Sequence, residues 1–228
     1  MKFRSMLIVS GDRPDEMAIA LDAGADALIL DLTDIVGPIA KAEARRTVAE
    51  FLGRNPGRSL WVKINPLDSP EADKDLSAII SARPDGIVLP KAEGGASVTE
   101  LARRLTERGN VGAMVMPMAT DTPSSIFQLG TYAGVKRLAA LSWGVETLAT
   151  ALGASAQEDD GSLTAPCEVA RSLCLFGAAA AGVVAIESVF RGNGEGLQYY
   201  AERARRDGFS GMLAANPDQV PVINQAFS

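Results

Sequence analysis

The strongest constraint on this chain is an alternation, repeated eight times, of a short apolar run and a helix-patterned stretch. The runs are Ser5–Val9, Ala27–Leu30, Ser59–Ile64, Gly86–Leu89, Gly112–Met116, Arg137–Leu141, Val183–Ile186 and Gly211–Leu213. Runs as continuously apolar as Ala27-Leu28-Ile29-Leu30 suit parallel strands covered on both faces, since a strand with one wet face alternates polar and apolar. Helical spacing lies between them over Asp15–Ala23, Ile39–Leu52, Glu71–Ser81, Ala96–Glu107, Pro123–Leu129, Val145–Leu152 with Pro166–Ala181, and Gly196–Arg206. A last helix is expected over Pro217–Ala226. Asp15, Asp73, Asp75 and Pro123 read as helix-entry residues. The acidic, Gly- and Ser-bearing stretch Ala154–Pro166 reads as a long loop.

Eight strand–helix pairs in 228 residues predict an α/β chain folded as one (β/α)8 TIM barrel domain, near the small end of that fold's range. A doubly wound open sheet is the alternative, but no G-x-G-x-x-G follows the first strand. Gly192-Asn193-Gly194-Glu195-Gly196 comes late in the chain and reads as a turn.

Composition removes whole classes of function. With 28 acidic against 22 basic residues, a formal charge of −6 and a pI near 4.8, the chain is a poor partner for a phosphate backbone. No apolar run is long enough to cross a membrane. The apolar stretch Met6–Val9 is too short for a signal sequence, so a cytoplasmic protein is expected. The chain has no histidine, which excludes a Ser-His-Asp triad, a Cys-His pair, an H-E-x-x-H zinc site and a zinc deaminase. Cys167 and Cys174 fall on one predicted helix roughly 10 Å apart, too far for a disulfide, and read as buried thiols. Acid–base chemistry is left to carboxylates, lysines, tyrosines or a metal-bound water.

In a barrel the chemistry sits at the C-terminal ends of the strands. Those ends carry Asp31-Leu32-Thr33-Asp34, Lys63-Ile64-Asn65, Pro90-Lys91-Ala92-Glu93, Thr120-Asp121-Thr122-Pro123, Ser142-Trp143-Gly144-Val145-Glu146-Thr147, Glu187-Ser188 and Asn216-Pro217-Asp218-Gln219. Carboxylates interleaved with two lysines suit a hard divalent cation and a small anionic substrate. Bland readings stand beside this one. Asp31 and Asp34 are also placed to cap a helix, and Asp121 before Thr122-Pro123 fits an N-cap. Lys91 is placed to pair with Glu93 or Asp31, and Glu187 to be a buried structural partner. Trp143 and Tyr132 suit a core or a subunit contact equally. Lys63, bracketed by Val62 and Ile64, is expected on one barrel face with a partner there.

Taken in order, further pieces accumulate: Arg4-Ser5, Gly11-Asp12-Arg13-Pro14, Ala23-Gly24-Ala25-Asp26-Ala27, Lys41-Ala42-Glu43-Ala44-Arg45, Ile64-Asn65-Pro66-Leu67, Leu141-Ser142-Trp143-Gly144 and Gly208-Phe209-Ser210-Gly211. With the strand-end motifs, they make the chain resemble, over almost its whole length, the citrate lyase β-subunit-like (CitE-like) proteins of the HpcH/HpaI aldolase superfamily. The resemblance implies a Mg²⁺-dependent carbon–carbon lyase acting on a small oxo- or hydroxy-acid, or on its coenzyme A thioester such as malyl-CoA or citryl-CoA. It implies metal binding at Asp121, Glu146 and Thr147 and catalytic roles for Lys63, Asp34 and Glu187. It further implies substrate contacts from Asp31, Thr33, Lys63, Asn65, Lys91, Trp143 and Asn216. CoA phosphates are expected near Arg4, Lys41 or Arg45, and the assembly is expected to be a homo-oligomer, with a trimer favoured.

The departures from the family pattern are concentrated at the site. Thr33 replaces a glutamate, Lys63 an arginine, Asp121 a glutamate and Thr147 a metal-binding aspartate. Glu187 replaces an aspartate and Asn216 a histidine. Lysine keeps the charge of arginine but loses its bidentate fork, and fewer charged ligands weaken Mg²⁺ binding. Two alternatives therefore stay open: a non-catalytic member that binds an organic acid or acyl-CoA, and thioester hydrolysis or Schiff-base chemistry through Lys63 or Lys91 on the same barrel.

Overall fold

A computed structural model describes residues 3–228. All eight expected strands form: β1 (Ser5–Ser10), β2 (Ala27–Asp31), β3 (Leu60–Lys63), β4 (Gly86–Leu89), β5 (Met114–Pro117), β6 (Ala140–Ser142), β7 (Val184–Glu187) and β8 (Gly211–Ala214). They pair in parallel in the order β5-β4-β3-β2-β1-β8-β7-β6. The two ends of that row meet through the parallel bridges Val115–Leu138 and Met118–Ser142, and the Ala119 amide donates to the Ser142 carbonyl at 2.7 Å. The sheet thus curls into the (β/α)8 barrel that the alternation predicts.

The helices are α1 (Pro14–Ala20), α2 (Lys41–Arg54), α3 (Pro70–Ile79), α4 (Gly95–Glu107), α5 (Pro123–Ile126), α6 (Val145–Leu152), α7 (Ala165–Ala181), α8 (Glu195–Asp207) and α9 (Gln219–Ala226). Proline stands in the first turn of α1, α3, α5 and α7, where its missing N–H costs nothing. Helix α3 starts earlier than Asp73 and Asp75 suggest: Ser69 caps it, accepting from the Glu71 amide, and Asp75 lies fully buried inside the helix layer. The stretch before α7 is the expected loop, pinched by a bridge between Gln157 and Leu163. Among the described residues no helix is long and apolar enough to cross a membrane.

Two cores follow from the strand period of two. One lies between strands and helices and takes Leu60, Val62, Leu141, Ala185 and Met212, with Trp143, Tyr132 and both free cysteines. Trp143 and Tyr132 are thus core residues and form no subunit contact. The other fills the barrel with Met6, Ala27, Ile29, Trp61, Val88, Met116, Ala140, Ile186 and Leu213. Trp61 dominates this interior, meeting Phe3 edge-on with ring centroids 5.6 Å apart.

Trp61 fits because its register partner across the ladder is Gly86. A Cβ at Gly86 would lie 2.2 Å from Trp61 Cζ3, well inside contact distance. Gly86→Ala is therefore expected to lower stability by about 1–3 kcal/mol through overpacking. Urea denaturation checks this, and the same change in a Trp61→Leu background should cost less than about 0.5 kcal/mol.

Candidate active site

The site is built on the inward face of the strand ends, directly above the apolar floor. Asp31 and Lys63 are register partners on β2 and β3, two residues beyond the interior Ile29 and Trp61. The same parity turns both inward, and Lys63 Nζ meets Asp31 Oδ2 at 3.1 Å. Asp31 is 4% exposed, and its other oxygen accepts from the Thr33 amide and hydroxyl, both at 2.7 Å. Asp31 thus closes a turn and anchors Lys63 rather than capping a helix. Asp34, just beyond, is exposed on the rim.

A polar scaffold behind these groups fixes the loops that carry them. Lys41 Nζ donates to the carbonyls of Leu32 and Thr33 at 2.9 and 3.1 Å and to Asn65 Oδ1 at 3.1 Å. The Asn65 side-chain amide donates to Leu32 O and to Asp75 Oδ2. Asp75 in turn takes Arg45 Nε at 2.7 Å, while Arg45 also pairs with Glu71. Asn65 therefore supports the site from behind. Lys41 and Arg45 are fully engaged in this scaffold, and Arg4 chelates Asp26 at the opposite, N-terminal end of the strands. None of the three stands as a free phosphate-binding cation at the mouth.

Across the mouth, Asp121 is 3% exposed. The N-cap role that its position suggests belongs to Thr122, whose hydroxyl accepts from the Ser125 amide in a capping box. Asp121 is left free to face the site. Its Oδ2 accepts from the Lys91 amide at 3.0 Å, and its Oδ1 is buried without a partner. That orphaned oxygen points at the space Gly144 leaves open: a Cβ there would lie 2.3 Å from Asp121 Oδ1 and 3.4 Å from Thr147 Oγ1. Burial raises the Asp121 carboxyl to about 6, against the pull of the Lys91 amide and of the Lys63 and Lys91 charges.

Glu146 is turned away, exposed and paired with Arg191 at 3.0 Å. Glu187 faces the helix layer, the parity of Ala185, and is fully buried. It accepts from Arg171 Nε at 2.6 Å, Trp143 Nε1 at 2.5 Å, the Ser188 amide and the Tyr200 hydroxyl. Arg171 also holds Asp207, so Glu187 and Trp143 tie β7 to α7 and α8 behind the barrel wall. The catalytic role expected of Glu187 and the substrate contact expected of Trp143 find no opening to the mouth. Asn216 lies at the end of β8 with its Oδ1 buried and unpartnered. The fully buried Thr120 hydroxyl is a further orphan at the end of β5.

Asp121, Lys63, Asp31, Thr33, Lys91 and Thr147 are thus brought together, while Glu187, Trp143 and Glu146 are not. The sequence reading takes Asp75 for a helix-entry residue and gives Gly144 no role of its own; the structure makes the first a buried partner of Arg45 and Asn65 and the second the opening beside Asp121. The signal for Asp75 was present: an acid at a position continuing the apolar stripe Ala72, Leu76, Ile79 is either paired or misplaced.

A divalent ion fits this donor set as a shared guest. Among the described residues no three acidic or thiol groups cluster to hold a metal alone. One buried carboxylate oxygen with a vacant lone pair, beside a hydroxyl, suits Mg²⁺, which is commonly held by one or two carboxylates with water and substrate oxygens.

In metal-free protein, Asp121 titrates near 6 when folded and near about 4 when unfolded. Between those values the folded state keeps a proton that the unfolded state loses, so stability falls as pH rises from 4 to 6 and is flat above. Asp121→Asn removes this cost. It should raise stability in EDTA at pH 7.5 by up to about 3 kcal/mol, the gain vanishing near pH 4, as read by denaturant titration at the two pH values.

Comparison with known proteins places this geometry. Residues 4–217 match the model of the HpcH/HpaI aldolase/citrate lyase family. A citrate lyase subunit beta-like protein of Mycobacterium tuberculosis is 33% identical over 224 residues, spanning 97% of this chain and 77% of that one. A (3S)-malyl-CoA thioesterase of Cereibacter sphaeroides is 28% identical over 230 residues, 99% of this chain and 77% of that one. Among solved structures, the M. tuberculosis citrate lyase beta subunit complexed with oxaloacetate and magnesium superposes with a TM-score of 0.87 at 30% identity, covering 99% of this chain and 97% of that one. The M. tuberculosis CitE protein in complex with magnesium and acetoacetate gives 0.88 at 31%, covering 100% and 92%. This chain belongs to the HpcH/HpaI aldolase/citrate lyase family.

Proposed function

We propose that this protein is a Mg²⁺-assisted carbon–carbon lyase for a small oxo- or hydroxy-acid or its CoA thioester, of the malyl-CoA or citryl-CoA kind. The observation that carries this is the orphaned Asp121 oxygen, buried beside Thr147 and Gly144 and facing two lysine charges. Relatives solved with magnesium and oxaloacetate, or with magnesium, acetoacetate and coenzyme A, support the ligand class.

Asp121 and Thr147 would hold the ion, which supplies Lewis-acid stabilisation of an oxyanion on the bound acid. The chain's own groups do the rest. Lys63, held by a single acceptor on Asp31, places a cation at the mouth for the negative charge that develops on the bound acid. Thr33 and Lys41 keep Asp31 and its loop from shifting as that charge forms. The barrel floor at Trp61 keeps water from entering below.

A second reading has one observation in its favour. Thr147 brings a neutral hydroxyl, and Glu146 is occupied by Arg191, so the site has a single anionic ligand. A member that binds an acid without turning it over would look like this. Thioester hydrolysis, the activity named for the C. sphaeroides relative, is a third outcome, separated by assaying free thiol against released oxo-acid.

We also place the protein in the cytoplasm as a homo-oligomer, with a trimer favoured. The exposed apolar pair Val169 and Phe176, one face of α7 two turns apart, supports an assembled state.

Titration calorimetry with Mg²⁺ and Mn²⁺, alone and with oxaloacetate or glyoxylate, tests the core of the proposal. Metal should bind weakly alone, at least about tenfold more tightly with the acid present, and not at all to Asp121→Ala. No metal binding to the wild type under any of these conditions overturns the proposal.

A further inference from the structure

Exposure along the inward face of β1 is uneven. Met6 is fully buried, Ile8 is partly exposed, and Ser10 is buried with its hydroxyl on Asp12. Side chains of a strand alternate between its faces, so Ile8, like Met6, points into the barrel. There it packs against the interior core, and its register partner on β2 is Ile29. Ile29, Leu213 on β8 and Ile186 on β7 are all buried, as is Met6 beneath. The exposed surface of Ile8 therefore opens upward, to the mouth. That opening lies one strand step below Ser10, the register partner of Asp31.

Two other apolar residues reach the top of the same core. Met118, just beyond β5, is 6% exposed, and Val189, two residues past β7, is partly exposed. The ionisable groups of the mouth come from the ends of β2 to β5: Asp31, Lys63, Lys91 and Asp121. Toward β7, β8 and β1 the charges are committed elsewhere. Glu187 faces the helix layer, Arg191 is paired with Glu146, and Asp12 takes the Ser10 hydroxyl with Arg13 Nε 3.7 Å away. Ile8 thus floors the apolar side of a mouth whose charges stand on the other side.

We propose that Ile8 is a specificity-determining residue of this site, the floor of an apolar well, bounded by Met118 and Val189, that seats a short uncharged alkyl group carried by the bound acid. This rests on the function proposed above, in which the acid's carboxylate and neighbouring oxygen sit at Asp121. The well decides what the remaining substituent is. A charged group placed there would lose its hydration and meet no counter-charge, whereas each methylene gains by leaving water. The depth is limited by Met6, so the well fills after a few carbons and rejects a longer or branched chain by overpacking.

The test compares glycolate, lactate, 2-hydroxybutanoate and 2-hydroxy-4-methylpentanoate, which differ only in the alkyl group, by calorimetry at saturating Mg²⁺, taking the tighter enantiomer of each. The proteins are the wild type, Ile8→Ala and Val189→Ala. The wild type should bind 2-hydroxybutanoate at least about fivefold more tightly than glycolate, and 2-hydroxy-4-methylpentanoate more weakly than 2-hydroxybutanoate. Ile8→Ala deepens the well, so the ratio of the longest acid to 2-hydroxybutanoate should rise by at least about threefold. Val189→Ala, in a loop, should move that ratio the same way, and it decides the matter if Ile8→Ala does not fold. A folded Ile8→Ala protein with an unchanged ratio overturns the inference, as does equal weakening of all four acids, which would mark a structural role. A wild type that binds glycolate as tightly as 2-hydroxybutanoate overturns it while leaving the proposed function standing. A wild type that binds none of the four removes that function and the inference with it.

Discussion

The packing of Trp61 against Gly86 inside the barrel sets the height at which everything polar can begin. Around it the interior is filled by Met6, Ile29, Val88, Met116, Ile186 and Leu213. One strand period above it, the same inward face carries Asp31 and Lys63. A dry floor of this kind raises the cost of any uncompensated charge just over it, so each ionisable group there must be paired, hydrogen-bonded or waiting for a ligand. Asp31 is paired and Asn65 is hydrogen-bonded on several sides. Asp121 keeps one oxygen unpartnered and is pushed toward neutrality by burial, the signature of a group whose partner arrives from outside.

The architecture was legible in the sequence because strand and helix periods alternate cleanly, and the element order follows without exception. The site was legible where a polar residue interrupts an apolar strand. Val62 and Ile64 on either side of Lys63 put it on one barrel face with a partner there; the structure turns that face inward, and Asp31 supplies the partner. It was illegible where a strand is apolar on both faces. In β7 the neighbours Ala185 and Ile186 are both buried, one outside the barrel and one inside, so the pattern gives no parity from which to read that Glu187 faces Arg171. The same ambiguity at Asp121-Thr122-Pro123 is settled only by the capping box, which gives the helix start to Thr122.

Two of the replacements that set this chain apart, together with the pairing of Glu146, lower the negative charge of the mouth. Thr33 folds back on Asp31, Thr147 offers a hydroxyl, and Glu146 pairs outward with Arg191. Each withdraws negative charge from the mouth, leaving Asp121 as the single anionic ligand and Lys91 as an unpaired cation. Such a site holds a cation weakly by itself and an anionic chelator strongly once the cation is present, because each neutralises the other's desolvation cost. Family membership describes the scaffold, and these few side chains describe how its chemistry has been retuned.

The most direct test of this account is anomalous diffraction from crystals soaked with Mn²⁺ and oxaloacetate. It predicts one strong manganese peak within about 2.2 Å of Asp121 Oδ1 when the acid is present, with the acid's carboxylate and keto oxygens completing the shell, and a much weaker peak there at the same manganese concentration without the acid. Manganese at Asp121 with equal occupancy in the presence and absence of the acid, or acid bound at the mouth with no manganese, would contradict it.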